Sequence, residues 1–515
     1  MSEFIPPYPP RLPAQPSAWQ RLKAMRKNIL AGWEENAFYY EFVSAKILSR
    51  RVFLCNSPDS VQFALNSHNS SFERKSAQHR HSLSPLLGDG LFVSDGETWR
   101  ERRRIVAPVV HVSRLPDFAP VMVQTALEAR ERWANLPAGA EIDVLGEMAQ
   151  LTAEIICRTI FGSQLGRAHA SEVVSGFSDY QRYIMKTDFI SLLGLPDWLP
   201  RWYSPRVRRA VKRIHGVLER IIDESRQQRD RNEASIIGRL FDAQEQDGGV
   251  KFDQEALRNE AAVLFMAGHE TTANSLAWTW YLLSQSPRVQ TRLLNELDRV
   301  LGGRAPTLDD VPNLVYTRAV FEETMRLYPP VPMLTREALV DENFNGVTIP
   351  KGSMILVSPW LLHRHKRLWH KPDHFVPERF MPAAKGPVSK FAYIPFSIGP
   401  RICAGMAFGL TEAILCIATL AQQFKLQLKE GHQVEIECHL TLRPGATLPM
   451  VLQRREPRRR AATRPARVQT PAPPPVCPVH HGVNGTASEP NRSGQQGDGR
   501  ATDASARETG GAALS

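Results

Sequence analysis

The most informative segment of the chain is Phe396-Ser-Ile-Gly-Pro-Arg-Ile-Cys-Ala-Gly405. A cysteine lies in a glycine-flanked, mostly apolar loop, and the helical pattern MAFGLTEAILCIATLAQQF follows directly. Gly399 and Gly405 permit tight turns and the close approach of a bulky group to the backbone. A thiolate near a helix N-terminus is stabilised by the free N–H groups there, so Cys403 is a candidate metal ligand. The alternative is an inert buried cysteine in a turn, the usual role of a lone cysteine.

The length and composition are those of a globular protein. The 515 residues are 42% hydrophobic and 23% charged, which excludes collagen-like, coiled-coil and wholly disordered proteins. The sequence contains no apolar run of 18 or more residues, so no membrane span is predicted. The N-terminus lacks the basic flank and apolar core of a secretory signal. Six cysteines at irregular spacing form no disulfide framework. We therefore expect a soluble cytoplasmic protein.

Composition divides the chain into three segments. Residues 1–18 are proline-rich, 19–455 carry alternating helical and strand-like patterns, and 456–515 contain no aromatic residue and are expected to be disordered and basic. The formal net charge is +11, of which the segment from Arg454 onward contributes +5 through ten Arg and five acidic residues, leaving +6 for the rest. This mild excess of positive charge does not indicate nucleic-acid binding, and it is compatible with an acidic docking partner.

The main segment is predicted to be mostly helical, an α+β arrangement with a few small sheets. The longest helical pattern runs from Gln254 to Ser284 and is apolar on most faces, so we expect a long, buried central helix. A second helix ends at Pro329-Pro330, which cannot continue it. The segment GVTIPKGSMILVS predicts a hairpin that turns at Lys351-Gly352, and a further small sheet is expected near 424–453.

Polar residues in the middle of the central helix need an explanation. The sequence AGHETT at 267–272 places an acid and two hydroxyl groups in a buried helix, which is costly unless they are hydrogen-bonded. Thr271 could bond back to its i−4 carbonyl, a purely structural role. Glycine costs a helix roughly 1 kcal/mol against alanine, so Gly268 favours a packing or ligand explanation.

The segment 396–405 resembles the haem-binding loop of the cytochrome P-450 family, in which phenylalanine, glycine, arginine, cysteine and glycine follow at these spacings. At average composition such a match arises by chance in roughly one chain in ten thousand of this length. The resemblance implies the cytochrome P-450 fold, with a long central helix over the cofactor, haem b (iron protoporphyrin IX). Cys403 would then be the axial thiolate on iron, Phe396 would pack on this ligand, and Arg401 would pair with a haem propionate.

Further motifs match the family in the same order along the chain. The residues implied to bind the cofactor are Trp99, Arg103, Ala267, Gly268, Arg336, Phe396, Gly399, Arg401, Cys403 and Gly405. Glu270 and Thr271 are the implied catalytic pair, in which Thr271 hydrogen-bonds dioxygen and Glu270 helps to relay protons. Glu323, three residues before Arg326 on one helix face, is implied to form a buried structural charge network with Arg326 and Arg379.

The resemblance implies a haem-thiolate monooxygenase that inserts one oxygen atom of O2 into a lipophilic small molecule, by hydroxylation or epoxidation. Electrons from NAD(P)H would arrive through a separate ferredoxin or flavodoxin with its reductase, because the roughly 60 residues after the haem domain hold one cysteine, too few for an iron–sulfur cluster. Two alternatives stay open: a haem-thiolate isomerase or dehydratase without electron input, and a non-enzymatic haem sensor. Apolar candidates for the substrate pocket are Leu86, Leu87, Phe92, Tyr180, Tyr183, Phe189 and Met333.

Two histidine-containing segments could bind other ligands. The segment HRHKRLWHKPDH at 363–374 matches no recognised zinc spacing, so we interpret it as a polar surface loop. Cys477, His480 and His481 are capable of binding metal or free haem, but in a disordered segment we interpret their proximity as incidental.

Overall fold

The computed structural model describes residues 4–47, 50–162, 167–184, 202–227, 235–246, 253–384, 389–438 and 440–455. Within these ranges helices form the bulk of the chain and the strands lie in four small sheets, which confirms the α+β prediction. The segment 456–515, with Cys477, His480 and His481, lies outside the described residues. The segment boundaries at 18 and 455 therefore stay predictions.

The helices begin and end at recognisable signals in the sequence. They are α1 Ala18–Lys27, α2 Pro58–Gln62, α3 Ala77–Leu87, α4 Gly96–Val109, α5 Leu115–Ala134, α6 Val144–Phe161, α7 Arg167–Ile184, α8 Pro205–Gln227, α9 Ile236–Gln246, α10 Gln254–Ser284, α11 Pro287–Leu301, α12 Val315–Leu327, α13 Pro359–Leu362 and α14 Met406–Ala421. For example, α11 has proline at its first position and ends at Gly302 in the left-handed conformation. Among the described helices, none is both long and apolar enough to cross a bilayer.

The predicted central helix is present as α10, with the bounds expected from the sequence. It packs against α6 along much of its length, and Gly268 allows this approach, since a Cβ atom there would lie 2.7 Å from Cδ1 of Ile156. Thr152 on α6 donates to the carbonyl of His269 at 2.8 Å. Near the other end, Trp278 stacks on Tyr328 with ring centroids 3.7 Å apart. These contacts fix α10 as the axis around which the site is built.

The strands form sheets around the helical body. They are β1 Phe42–Ile47, β2 Arg50–Cys55, β3 Glu141–Asp143, β4 Leu334–Glu337, β5 Glu342–Phe344, β6 Val347–Ile349, β7 Met354–Val357, β8 Phe424–Leu428, β9 Glu437–Cys438, β10 Leu442–Arg443 and β11 Pro449–Arg454. The largest sheet has the order β1-β2-β7-β4, and a three-stranded sheet has the order β3-β11-β8. Two-stranded sheets join β5 with β6 and β9 with β10.

The hairpin predicted around Lys351-Gly352 was wrong in its strand pairing. The chain does turn there, with Gly352 at φ +79°, but β6 pairs back with β5 while β7 lies between β2 and β4. The physical reason is burial: Ile355 and Val357 of β7 are fully buried, so this strand takes a central place in the largest sheet. The sheet expected near 424–453 is likewise two sheets, because β9 and β10 pair only with each other.

Candidate functional site

The loop that contains Cys403 is closed by backbone hydrogen bonds. The N–H of Cys403 donates to the carbonyl of Phe396 at 2.9 Å, and the N–H of Ile402 donates to the carbonyl of Gly399 at 3.0 Å. Gly399 has φ +78°, and a Cβ atom there would lie 1.9 Å from the carbonyl oxygen of Leu65. Only glycine fits at that position, so the loop shape is fixed by close packing against the protein itself.

The thiol of Cys403 lies at the N-terminal end of α14. Cys403 has exposed surface, yet the protein around it is dense enough that burial raises the pKa of the thiol. Both observations hold for a thiol that opens onto an enclosed space. The N–H of Gly405 and the charge of Arg103 act in the opposite direction on the pKa and favour the thiolate.

Gly405 differs from Gly399 in what surrounds it. A Cβ atom on Gly405 would meet no protein atom within 4 Å. The opening next to Cys403 is therefore room that no described part of the protein fills. Ala267 is exposed although it lies in the middle of the otherwise largely buried α10. Open space beside a thiolate, and an exposed alanine on a central helix, fit a bulky flat cofactor.

Cationic side chains gather beside this loop. Arg401 donates to the carbonyl oxygens of Glu73 and Ser94, and its guanidinium lies 4.7 Å from the ring centroid of Trp99. Burial, together with the charge of Arg401, lowers the pKa of Arg336 to about 9. The Nε atom of Arg336 is buried without a hydrogen-bond partner. Such a cluster is costly as it stands and suits the two propionate groups of haem.

Two further residues of this cluster were missed by the sequence analysis. Burial and the charges of Arg401 and Arg336 hold the pKa of Lys75 well below its ordinary value, and its ammonium lies 4.3 Å from the ring centroid of Phe92. Burial, then the charges of Lys75 and Arg336, lowers the pKa of His79 to about 4. Nothing in the sequence ERKSAQH indicated that Lys75 or His79 belongs to the site. The contact between this segment and the strand of Arg336 exists only in the folded chain.

The acid and hydroxyl groups of α10 are hydrogen-bonded within the protein. The hydroxyl of Thr271 donates to the carbonyl of Ala267 at 2.7 Å, the back-bond considered from the sequence. Glu270 accepts from the hydroxyl of Thr441 at 2.7 Å, and Thr441 in turn accepts from the amide of Asn274 at 3.1 Å. Thr441, between β9 and β10, was another residue without a sequence signal. The structure thus positions the carboxylate of Glu270 through a second element.

Another buried carboxyl group lies on α14, which contacts α10 beside Thr272. Glu412 on α14 is fully buried, and burial raises its pKa well above the ordinary value. Thr272, next to Thr271 on α10, partly opposes that shift. A Cβ atom on Gly409 would lie 3.8 Å from the hydroxyl of Thr272, so α14 and α10 meet here. Glu412 lies on the apolar helix that follows the cysteine loop. An acidic residue in such a helix was the sequence signal that could have identified it as a candidate functional residue.

The predicted structural charge network is confirmed. Arg326 donates to both carboxylate oxygens of Glu323, at 2.6 and 2.8 Å, and Arg379 donates to the same carboxylate at 3.1 Å. Arg326 also donates to the carbonyls of His363 and His374. The interpretation of 363–374 as a surface loop was therefore wrong in part, because His363 is fully buried and accepts a hydrogen bond from the N–H of Ile394.

The proposed substrate-pocket residues take different positions. Leu86, Leu87 and Tyr180 are buried in the core, and the hydroxyl of Tyr180 donates to the carbonyl of Ser82 at 2.6 Å. Those that are only partly buried are Phe92, Tyr183 and Met333. Phe189 lies outside the described residues.

The described contacts bring together Trp99, Arg103, Arg336, Phe396, Arg401, Cys403 and Gly405 around the loop. Glu270 and Thr271 are bonded within α10 and to Thr441.

Comparison with known proteins gives one consistent answer. The profile of the family described as Cytochrome P450 matches residues 6–449. The chain is 33% identical over 413 residues to "Cyclooctatin synthase" of Streptomyces melanosporofaciens, covering 79% of this chain and 87% of that protein. It is 32% identical over 370 residues to "Cyclooctat-9-en-7-ol 5-monooxygenase" of the same organism, covering 72% and 79%. In fold it is similar to the crystal structure of the cytochrome P450DA heme domain, with a TM-score of 0.71 at 24% identity over 82% of this chain and 91% of that one.

Proposed function

This chain belongs to the cytochrome P450 family of haem-dependent oxidoreductases, and we propose that it is a monooxygenase that oxidises a lipophilic small molecule with O2. The observation that carries the proposal is the thiol of Cys403, exposed to an enclosed space beside a buried cluster of cations. We propose Cys403 as the iron ligand and Trp99, Arg103, Arg336 and Arg401 as the groups that hold the propionates. When bound, haem supplies the activation of O2 and the insertion of one oxygen atom into a C–H or C=C bond.

The chain's own residues prepare the ligand. The N–H of Gly405 and the cation of Arg103 favour the thiolate form of Cys403 and so offset part of the effect of burial. The backbone bond from Cys403 to Phe396 fixes the sulfur relative to the loop. Gly405 leaves space for the cofactor, and Ala267 presents a surface of α10 without a bulky side chain to it, whereas Gly268, expected from the sequence to share this role, faces Ile156 of α6.

We propose that protons reach the reaction through Glu270 and through a water molecule held by Thr271. The hydroxyl hydrogen of Thr271 is committed to the carbonyl of Ala267, so its oxygen remains able to accept a hydrogen bond from a water molecule in the cavity. The carboxylate of Glu270 is held by Thr441 and can exchange protons with such water. The buried carboxyl of Glu412 lies beside Thr272, the next residue along α10 after Thr271. The proton path is therefore proposed to run along α10.

A lipophilic substrate is supported by three apolar side chains expected in the substrate pocket, Phe92, Tyr183 and Met333, which are only partly buried. Phe92 also lies against Lys75 of the cationic cluster. The most similar relatives include two whose names refer to cyclooctatin chemistry. We propose a terpenoid-like or similarly apolar substrate of this general class. The two electrons are proposed to come from NAD(P)H through a separate ferredoxin or flavodoxin and its reductase, in the cytoplasm.

An optical spectrum of the purified protein tests the assignment. The protein is reduced and exposed to carbon monoxide beside Cys403→Ala. We expect a strongly red-shifted Soret band for the wild type that is absent in the variant, because the thiolate is the axial ligand. A spectrum typical of imidazole ligation, unchanged in Cys403→Ala, would overturn the proposal. Cys438→Ala, which removes a partly buried thiol elsewhere, is the matched control and should leave the band unchanged.

A further inference from the structure

The helix α1 presents large apolar side chains to solvent. Trp19 is 69% exposed, Leu22 is 53% exposed and Met25 is 40% exposed. Their spacing of three residues places them on one side of a helix. Single exposed apolar residues are ordinary on protein surfaces, but three on adjacent turns form a contiguous stripe that needs an explanation.

The same helix is strongly basic. Its ten residues, AWQRLKAMRK, contain four basic residues and no acidic one. Lys23 and Arg26 are exposed, and helical geometry places them on the same side as the apolar stripe. Arg21 faces the protein instead, where it donates to the carbonyl of Gly32 at 2.9 Å and lies 3.9 Å from Glu34. Charged and apolar groups therefore share the outer side of α1.

The helix is held firmly in this orientation. A capping box between Ser17 and Gln20 begins it. Beyond its last residue, the amide of Asn28 donates to the carbonyl of Ile436 at 2.5 Å. Met25 lies at the edge of the stripe, because its Cγ atom is 2.4 Å from where a Cβ atom of Gly32 would lie, although 40% of the residue remains exposed. Because both ends and the inner side are fixed, the exposed stripe is a stable feature of the folded chain.

We propose that the outer side of α1, formed by Trp19, Leu22, Lys23, Met25 and Arg26, binds the surface of a membrane that contains anionic lipid. A helix with apolar side chains, tryptophan among them, interleaved with cations is suited to the boundary between headgroups and acyl chains. Lys and Arg extend their charges to the phosphate level while their stems stay among apolar groups. A second copy of this chain is disfavoured as the occupant, because it would bring two sets of cations together.

This contact would lie on the bilayer and would not cross it. It does not depend on the oxidation proposed above, and either proposal can fail alone. If both hold, the enzyme would be placed where a lipophilic substrate is most concentrated.

Vesicle binding of the full, haem-loaded chain tests the proposal. The protein is floated with phosphatidylcholine vesicles, with and without phosphatidylserine, at low and high salt. We expect binding that needs phosphatidylserine and weakens with salt. The double variant Leu22→Ser/Arg26→Gln should bind about tenfold more weakly or worse. It loses one aliphatic group that would enter the bilayer and one cation that would face the lipid headgroups.

The chain offers a matched control for this variant. Val112 is as exposed as Leu22, at 53%, and Arg114 is exposed two residues later. The variant Val112→Ser/Arg114→Gln therefore removes the same kinds of group from another element and should bind vesicles almost as the wild type does. Equal losses in the two variants would mean that overall positive charge governs binding, and would overturn the assignment to α1. Wild-type binding by Leu22→Ser/Arg26→Gln would overturn it as well, and would leave an acidic protein as the partner to seek.

Discussion

Two buried groups of charges lie near the cysteine loop, and they are built on opposite principles. In the network of Glu323, Arg326 and Arg379, one carboxylate accepts hydrogen bonds from both guanidinium groups, and backbone carbonyls take the remaining donors. In the cluster of Lys75, Arg336 and Arg401, the charge of Arg401 depresses the pKa of the other two and that of Arg336 depresses the pKa of Lys75, while Glu73 and Asp95 offset only part of the effect. The first group is complete in the folded chain, whereas the second keeps an excess of positive charge.

The difference separates structural charges from ligand-binding charges without reference to relatives. A buried ion pair whose donors and acceptors are all matched stabilises one arrangement of the chain. A buried cluster with an unpartnered Nε atom on Arg336 costs free energy until an anion enters. Glu73 and Asp95 attract the charge of Arg401, and Asp95 attracts that of Lys75, but both cations keep lowered pKa values, and the two carboxylates also bind Arg100 and Arg74. The propionates of haem fit this deficit.

Glu323→Gln should have the largest effect on the folded protein. It leaves Arg326, which is fully buried, without its counter-charge, so we expect a loss of about 3–5 kcal/mol in the free energy of unfolding. This is a large share of the stability of an ordinary domain, and much of the protein should fail to fold. The measurement is denaturant unfolding of the apoprotein, followed by circular dichroism.

Glu378→Gln is the control for that variant. Its carboxylate binds Arg292 at 2.9 Å and accepts from the hydroxyl of Tyr316 at 3.1 Å, but the side chains of Glu378 and Arg292 are 35% and 45% exposed. Solvent screens such a pair, so the expected loss is below about 1 kcal/mol. If Glu323→Gln cost no more than this, the contrast between the complete network and the cationic cluster would not hold.

Local patterns were predictable from the sequence, and long-range pairings were not. The loop at 396–405 and α10 are each specified by contiguous residues, so the bounds of α10 could be read directly from the sequence. Lys75 and His79 lie in an unremarkable segment, and their position depends on contact with the strand of Arg336 far along the chain. The same limit explains the wrong hairpin, because β7 pairs in parallel with β2 from the N-terminal part.

The pH dependence of the apoprotein should show the missing anion. The pKa of His79 is about 4 in the folded chain against an ordinary value of 6.5, so as pH falls below 6.5 the unfolded chain takes up the proton first. Stability should therefore fall between pH 6.5 and pH 4, by about 3 kcal/mol at most from this residue. His79→Gln should reduce that slope in apoprotein unfolding curves. In haem-loaded protein the reduction should be smaller, because propionate charge offsets Lys75 and Arg336; equal reductions would contradict the assignment.

Arg336→Leu should separate the two kinds of charge most cleanly, although its effect is the smallest. In the apoprotein it removes a like charge and an unpartnered buried group, so the free energy of unfolding should stay the same or rise by about 1 kcal/mol. In the loaded protein it removes a proposed propionate partner, so haem affinity should fall about tenfold. The two measurements are apoprotein unfolding and the rate of haem transfer to apomyoglobin. Arg367→Leu, at an exposed pair with Glu41, should change neither. A loss of apoprotein stability in Arg336→Leu would mean that this cluster, like the network of Glu323, is complete without a ligand.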